Sequence, residues 1–121
     1  MEKVTLVLGA SPNPERFSYD AVISLQRSGI PVIAVGRREA EVGNLTIRKG
    51  MPSDIGYVHT ITIYLSAKNQ KEYYSYILSL HPKRIIFNPG TTNPELAAIA
   101  MRKGITVVNE CMLVMLKRGM F

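Results

Sequence analysis

Two short apolar runs of the same kind, separated by a helical pattern, constrain the fold more than any other feature of the sequence. The first run covers residues 4–8 and the second covers residues 30–36. Between them, Ala21, Val22 and Leu25 recur at the spacing of one helix face. A strand, a helix and a second strand within about 30 residues form a β-α-β unit, from which parallel sheets are built.

The same alternation continues along the rest of the sequence. Further strands are predicted over residues 59–65, 84–87 and 105–108, and further helices over residues 68–80, from 94 to near 104, and over 114–117. Strands that are almost entirely apolar are typical of a parallel sheet covered by helices. We therefore expect an α/β fold: a Rossmann-like, doubly wound sheet of five mostly parallel strands with helices on both faces, in a single domain over residues 1–121.

One segment fits this pattern poorly. Residues 37–57 contain three glycines, and residues 45–47 are their only candidate for a short strand or turn. A loop of this length inside a compact domain is either functional or wrongly assigned.

The charge balance favours an anionic partner. The chain has 15 Lys and Arg residues against 9 Asp and Glu, a net charge of +6, which suits a phosphorylated cofactor, a nucleic acid or an acidic protein. No apolar run approaches the roughly 20 residues that cross a bilayer, and residues 1–3 lead into the first strand without the pattern of a secretory signal. The single cysteine, Cys111, fits a reducing compartment. We expect a cytoplasmic protein with no membrane partner.

The segment after the first strand has the composition of a phosphate site. Residues 9–18 read Gly-Ala-Ser-Pro-Asn-Pro-Glu-Arg-Phe-Ser, and ligands of open α/β sheets bind at this turn, where a helix start directs free N–H groups at an anion. Three short polar side chains follow the glycine, at Ser11, Asn13 and Ser18. Arg16 adds a positive charge. The segment lacks the second glycine of the dinucleotide motif G-x-G-x-x-G, and a plain turn with a helix cap is the alternative interpretation.

The end of the second strand argues against NAD. NAD-binding folds place Asp or Glu here to bind the ribose hydroxyls, whereas a nearby arginine accommodates a ribose phosphate. This sequence has Gly36 followed by Arg37 and Arg38. The pair favours a ligand with a phosphorylated ribose, a description that fits both CoA and NADP. The alternative is two solvated basic residues on a loop.

Three stretches of the sequence resemble one known family. They are residues 9–18, the Pro-Val-Ile-Ala-Val stretch at residues 31–35 and the Asn-Pro-Gly-Thr-Thr-Asn-Pro-Glu stretch at residues 88–95. Together they resemble the small stand-alone CoA-binding family, which is related to the CoA-binding domain of succinyl-CoA synthetase α subunits. The resemblance implies a CoA-type ligand whose pyrophosphate lies on residues 9–18, with its adenine end near the loops after the second and third strands.

Two positions depart from the pattern of that family. The family often has Asn-Pro and a basic residue where this sequence has residues 36–38, and a Pro-Pro pair where it has Ser66-Ala67. The predicted cofactor is CoA or an acyl-CoA, with NADP as the less favoured ligand. The predicted cofactor-binding residues come from the ends of four strands: Gly9, Ala10, Ser11, Asn13, Pro14, Arg16, Phe17, Ser18, Gly36, Arg37, Arg38, Leu65, Ser66, Asn88, Pro89 and Gly90.

No catalytic or metal-binding set is predicted. His59 and His81 stand without a partner acid or nucleophile, and Cys111 is interpreted as a small buried residue. The aromatic side chains of Tyr73 and Tyr76 are interpreted as partly core. The sequence thus predicts a module that binds CoA or a related phosphorylated nucleotide, and it leaves open whether the chain is an enzyme.

Other functions remain open at this point. The chain could be a subunit or regulator of a CoA-ligase-type enzyme, acting with a partner enzyme subunit, or an NADP-binding protein. Formation of a homo-oligomer is also compatible with the sequence. Nucleic-acid binding is supported by net charge alone, because the sequence has no helix-turn-helix or RNA-binding signature.

Overall fold

A computed structural model describes residues 2–121 and contains one seven-stranded sheet. Its strands are β1 (Thr5–Leu8), β2 (Val32–Gly36), β3 (Ala40–Val42), β4 (Leu45–Lys49), β5 (Thr60–Ile63), β6 (Arg84–Phe87) and β7 (Thr106–Val108). Its helices are α1 (Phe17–Arg27), α2 (Ala67–Gln70), α3 (Tyr74–Ser79), α4 (Pro94–Arg102) and α5 (Met112–Lys117), with a 3₁₀ turn at Lys71–Tyr73 between α2 and α3. None of the helices in this described part is long and apolar enough to cross a membrane.

The strand order places a reversal beside the central strand β1. The order is β3-β4-β2-β1-β5-β6-β7, and every neighbouring pair is parallel except β3 and β4. Strands β2, β3 and β4 lie on one side of β1, and the chain then crosses to the other side, where β5, β6 and β7 follow. Open α/β sheets bind ligands beyond the carboxyl ends of their strands at such a reversal. The topology therefore points to the loops after β1, β2 and β5.

The prediction of five strands is wrong, because residues 37–57 hold a β-hairpin. β3 and β4 pair antiparallel across a two-residue turn at one edge of the sheet. Val42 and Ile47 are buried, whereas Glu41 and Thr46 are exposed. Only one side of this edge hairpin contacts the core, so polar and apolar residues alternate and no continuous apolar run marks it.

Helices cover both faces of the sheet, as predicted. On one face, α3 and α4 pack on β1, β5 and β6, with a core that includes Leu6, Ile61, Ile77, Ile85 and Leu96. On the other face, α1 and α5 pack on β1, β2 and β6, with a core that includes Val7, Val22, Ala34, Ile86 and Met112. Successive residues of β1, β2 and β6 alternate between the two cores. The sheet is therefore a rigid support for the loops at its carboxyl edge.

The helix predicted over residues 68–80 is interrupted. Its place is taken by α2, the 3₁₀ turn and α3, and the first break directly follows Gln70. The side chain of Gln70 is completely buried and donates hydrogen bonds to two backbone carbonyls outside the helix. The residue thus anchors α2 to the sheet edge, a tertiary contact that the helical spacing of the apolar residues does not reveal.

Candidate functional site

A cleft of about 630 Å³ lies at the carboxyl edge of the sheet, where the strand order reverses. This volume is within the range of small-molecule sites. The loops after β1, β2, β5 and β6 meet there. The lining residues are Gly9, Ala10, Ser11, Pro12, Arg16, Phe17, Ser18, Gly36, Arg37, Arg38, Tyr64, Leu65, Ser66, Asn69, Glu72, Tyr73, Pro89, Gly90 and Thr91.

Gly9 allows the chain to leave β1 close to its neighbours. Its φ is +94°, in the region that favours glycine. A Cβ atom at this position would lie 3.0 Å from Leu65 Cδ2 and 3.1 Å from the carbonyl carbon of Tyr64. The N–H groups of Gly9 and Ala10 both donate to the Val35 carbonyl at 2.9 Å. The first turn of the loop is therefore tied to β2 and packed against the end of β5.

A second glycine, Gly36, lets the neighbouring strand β2 lie close to the same loop. A Cβ atom at Gly36, the last residue of β2, would lie 2.4 Å from the Ala10 carbonyl oxygen and 3.0 Å from Ile47 Cγ2. No side chain fits between β2 and the loop at that distance. In the dinucleotide motif, the second glycine lies within the loop and lets the backbone approach the pyrophosphate. Here the second glycine lies at the end of β2 and lets that strand approach the loop after β1.

The rest of the loop is held by its own polar groups. Ser11 Oγ accepts a hydrogen bond from the Asn13 N–H at 3.1 Å, and Asn13 Oδ1 accepts one from the Glu15 N–H at 3.0 Å. The Arg16 N–H donates to the Asn13 carbonyl at 3.0 Å. Such side-chain to backbone bonds define turns. The loop thus has a set conformation before it reaches α1.

Helix α1 opens on the cleft without a cap. Its N-cap residue is Arg16, which makes no capping hydrogen bond. The N–H groups of Phe17 and Ser18 have no acceptor within residues 2–121. Free N–H groups and the positive end of the helix dipole favour an anion here. Phe17 itself is 72% exposed at the cleft rim.

We call the side of the cleft formed by Arg16, Arg37 and Arg38 the basic wall. All three side chains are exposed, and none forms an ion pair with another residue of the described chain. Glu72 is the one acid among the lining residues that the structure describes. Burial raises the pKa of Tyr73, Glu72 raises it further and Arg37 lowers it, so both charges act on this tyrosine. The positive excess suits a phosphorylated ligand.

We call the opposite side, formed by Leu65, Ser66, Pro89 and Gly90, the turn wall. Pro89 and Gly90 are the central residues of a tight turn, in which the Thr91 N–H donates to the Asn88 carbonyl at 3.0 Å. The φ of Gly90 is +86°, the value that a type II turn requires at its third residue. The turn places this backbone beside the end of β5.

Asn88, a predicted site residue, lies beneath the cleft and does not line it. Its Nδ2 donates to Thr62 Oγ1 at 2.7 Å and to the Ile63 carbonyl at 3.0 Å. Its Oδ1 accepts the Met112 N–H at 2.8 Å. The buried amide therefore connects β6 with β5 and with the start of α5, and its polar atoms are used within the protein.

The cleft brings most of the predicted site residues together. Asn13 and Pro14 lie outside its lining, exposed on the loop, and Asn88 lies below it. That the residues in the cleft bind a ligand stays a prediction. These residues are Gly9, Ala10, Ser11, Arg16, Phe17, Ser18, Gly36, Arg37, Arg38, Leu65, Ser66, Pro89 and Gly90.

Six lining residues are absent from the list of predicted cofactor-binding residues: Pro12, Tyr64, Asn69, Glu72, Tyr73 and Thr91. Pro12, Tyr64 and Thr91 adjoin predicted residues, and the rule that loops after parallel strands share one edge could have included them. Tyr73 is 9% exposed, in keeping with its predicted core position, yet it also reaches the cleft. No sequence signal marks Glu72, because its place depends on the break after Gln70.

Neither the histidines nor the cysteine lines the cleft. His59 precedes β5 at the opposite edge of the sheet, where burial, Arg84 and Lys3 lower its pKa. His81 is exposed, and Cys111 is half-buried before α5. Within residues 2–121 no group of three or more His, Cys, Asp or Glu side chains could hold a metal ion.

Fold and cleft together define a small α/β domain with a mostly parallel sheet and a basic cleft at the carboxyl edge of that sheet. A family model described as a CoA binding domain matches residues 3–117, nearly the whole chain. The chain belongs to this family, and the resemblance inferred from the sequence is confirmed.

Solved structures share the fold. One, of an uncharacterized protein, is 47% identical with a TM-score of 0.94, and the match covers 100% of this chain and 99% of that one. A hypothetical protein from Pyrococcus horikoshii OT3 is 26% identical with a TM-score of 0.85, covering 97% and 82%. The cell-free ID.343 protein from Thermus thermophilus, 22% identical with a TM-score of 0.88, covers 99% and 91% and shows the fold alone. No curated protein matches the chain.

Proposed function

We propose that the chain binds coenzyme A, or a closely related phosphorylated nucleotide, in the cleft at the carboxyl edge of its sheet. Family membership supports CoA as the ligand class. The observation that carries the proposal is the uncapped start of α1, where the N–H groups of Phe17 and Ser18 have no acceptor in the described chain. These groups and the Arg16 guanidinium hold the diphosphate of the ligand.

The basic wall selects a ligand with a phosphorylated ribose. Arg37 and Arg38 follow β2 at the position where NAD-binding folds place an acid for the ribose hydroxyls. Glu39, the nearest acid in sequence, does not line the cleft. Two arginines bind the 3′-phosphate of CoA and have no equivalent partner in dephospho-CoA. NADP also has a phosphorylated ribose, and family membership favours CoA over it.

The proposal is binding without chemistry by this chain alone. Among the described residues that line the cleft, Glu72 is the one carboxylate, and neither a histidine nor Cys111 reaches it. A nucleophile with an adjacent base, which acyl transfer needs, is not assembled there. CoA turnover by the purified chain would contradict this part of the proposal.

Native mass spectrometry followed by calorimetry tests the ligand. We expect the purified protein to retain CoA or to bind it on titration, with weaker binding of dephospho-CoA and weakest binding of NAD. NADP, titrated under the same conditions, is the competing ligand. Tighter binding of NADP than of CoA would overturn the assignment of the ligand, and no binding of either would overturn the proposed function.

A further inference from the structure

A buried glutamine joins the two loops that form the turn wall. Gln70, the last residue of α2, is completely buried. Its Nε2 donates one hydrogen bond to the Leu65 carbonyl at 2.8 Å and another to the Thr91 carbonyl at 2.7 Å. These carbonyls belong to the loops after β5 and after β6. Because both hydrogens of the amide are used, one side chain holds both loops.

The oxygen of the same amide extends the connection to α4. Gln70 Oε1 accepts a hydrogen bond from Asn93 Nδ2 at 2.9 Å, and Asn93 Oδ1 caps the helix by accepting the Leu96 N–H at 3.1 Å. Asn93 donates its second hydrogen to the Tyr74 hydroxyl at 2.8 Å, and that hydroxyl donates to Glu95 Oε1 at 2.9 Å. Both buried amides therefore have a partner for each polar atom, as a stable buried network requires.

We propose that Gln70 is a positioning residue, which sets the spacing of the loops after β5 and β6 and thereby the shape of the turn wall that a bound ligand contacts. Gln70 does not line the cleft. It acts through the Leu65 and Thr91 backbone. The inference rests on the proposed function for the identity of the ligand, but the connection between the loops does not depend on it.

Gln70 can set the spacing of the loops because a carbonyl that is shielded from water and lacks a hydrogen-bond donor raises the free energy of the folded state. An apolar side chain of similar size at position 70 would fill the space but leave the Leu65 and Thr91 carbonyls and one Asn93 hydrogen without partners. The loops would then turn these groups toward the open cleft to reach water. A wall that must be ordered at the moment of binding costs affinity, whereas a preformed wall does not.

Gln70→Met tests the inference, because methionine has nearly the same length and volume but no hydrogen-bond donor. In the protein without ligand, we expect faster amide hydrogen exchange in peptides covering residues 65–70 and 88–93, with no change over residues 9–16. In calorimetry, we expect CoA affinity to fall roughly tenfold. The milder Gln70→Asn keeps the amide but is one methylene shorter, so it serves where Gln70→Met does not fold, and we expect a smaller change of the same kind.

Ile85→Ala is the control for a loss of stability alone. Ile85 is buried in β6 near the amino edge of the sheet, away from the cleft. We expect this variant to lower the melting temperature and to leave CoA affinity within about twofold of wild type. An equal loss of CoA affinity in Ile85→Ala and Gln70→Met would overturn the positioning role.

Two further outcomes separate this inference from the proposed function. Unchanged exchange at residues 65–70 and 88–93 in the Gln70 variants would overturn the connection between the loops. Faster exchange there with wild-type CoA affinity would overturn the effect on the ligand. Where the wild-type protein binds neither CoA nor NADP, the proposed function fails, and the exchange measurement still decides whether Gln70 fixes the two loops.

Discussion

The two walls of the cleft are built by opposite means. The basic wall places Arg16, Arg37 and Arg38 in solvent, without an ion-pair partner in the described part of the chain. The turn wall is held from behind by the buried amides of Gln70 and Asn88, whose polar atoms all have partners within the protein. Exposed charge attracts an anion and selects it, while buried hydrogen bonds set a shape. Under the proposed function, the basic wall selects the ligand and the turn wall offers it a preorganised surface.

The loop after β1 belongs to neither wall alone, and a substitution beneath it should have the largest effect. In Gly36→Ala, the new Cβ would lie 2.4 Å from the Ala10 carbonyl oxygen. The Cβ is fixed to the backbone of β2, and the Ala10 backbone is tied to β2 by its hydrogen bond to the Val35 carbonyl. We expect the free energy of unfolding to fall by about 1–3 kcal/mol. If the loop shifts at a similar cost, CoA affinity falls by roughly 10- to 100-fold. Urea denaturation and calorimetry measure the two effects.

Gly104→Ala is the matched control for that variant. Gly104 has a φ of +79°, but a Cβ atom there meets nothing within 4 Å. Its substitution costs about 1 kcal/mol of backbone strain and should leave CoA affinity unchanged. Wild-type affinity in Gly36→Ala would show that the close approach of β2 to the loop is not needed for binding.

Removing charge from the basic wall should have the next largest effect, and it should depend on the ligand. In the double variant Arg37→Ala/Arg38→Ala, we expect CoA to bind roughly tenfold more weakly and dephospho-CoA to bind almost as in wild type, because only CoA has the 3′-phosphate. The difference should shrink as salt is added, since the arginines are exposed. Calorimetry with both ligands at two salt concentrations measures it.

A second double variant separates local contact from net charge. Arg102→Ala/Lys103→Ala removes the same charge from exposed positions at the end of α4, outside the cleft. We expect it to change the affinity for both ligands slightly and equally. An equal loss of CoA and dephospho-CoA affinity in the Arg37/Arg38 variant would remove these residues from the 3′-phosphate site.

The two walls also differ in how far the sequence predicts them. Arg37 and Arg38 directly follow a strand with a clear apolar run, and Arg16 lies in the loop after another such strand. Their place at the carboxyl edge of a parallel sheet can therefore be predicted from where those strands end. The buried amides of the turn wall could not be predicted in this way. Asn88 is expected in the site and lies beneath it, whereas Gln70 supports the site and is not expected there. An amide in a sequence carries no sign of whether it will face a ligand or a buried carbonyl.

The elements of the fold also differ in how far the sequence predicts them. Strands β1, β2 and β6 are mostly apolar on both faces, and β5 alternates isoleucine with buried threonine. The stripe of α1 recurs at helical spacing, so each of these elements is visible from local pattern. The hairpin of β3 and β4 has one exposed side, and its local signals are weak: the short candidate at residues 45–47, which begins β4, and the turn at Gly43-Asn44. Features that depend on a tertiary contact, such as the break in the helix after Gln70, produce no periodic pattern in the sequence.

Tyr74→Phe should have the smallest effect of these substitutions, and it measures how far the turn wall extends. The Tyr74 hydroxyl accepts from Asn93 and donates to the exposed Glu95, so its loss removes the outer end of the network and leaves both Gln70 donations intact. We expect the free energy of unfolding to fall by about 0.5–1.5 kcal/mol and CoA affinity to stay within about twofold of wild type. Tyr57→Phe, at an exposed tyrosine with no hydrogen bond to residues 2–121, is the matched control. A loss of CoA affinity in Tyr74→Phe as large as that in Gln70→Met would mean that the whole network, out to its surface carboxylate, positions the wall, and the distinction between a buried support and its solvent-exposed end would have to be given up.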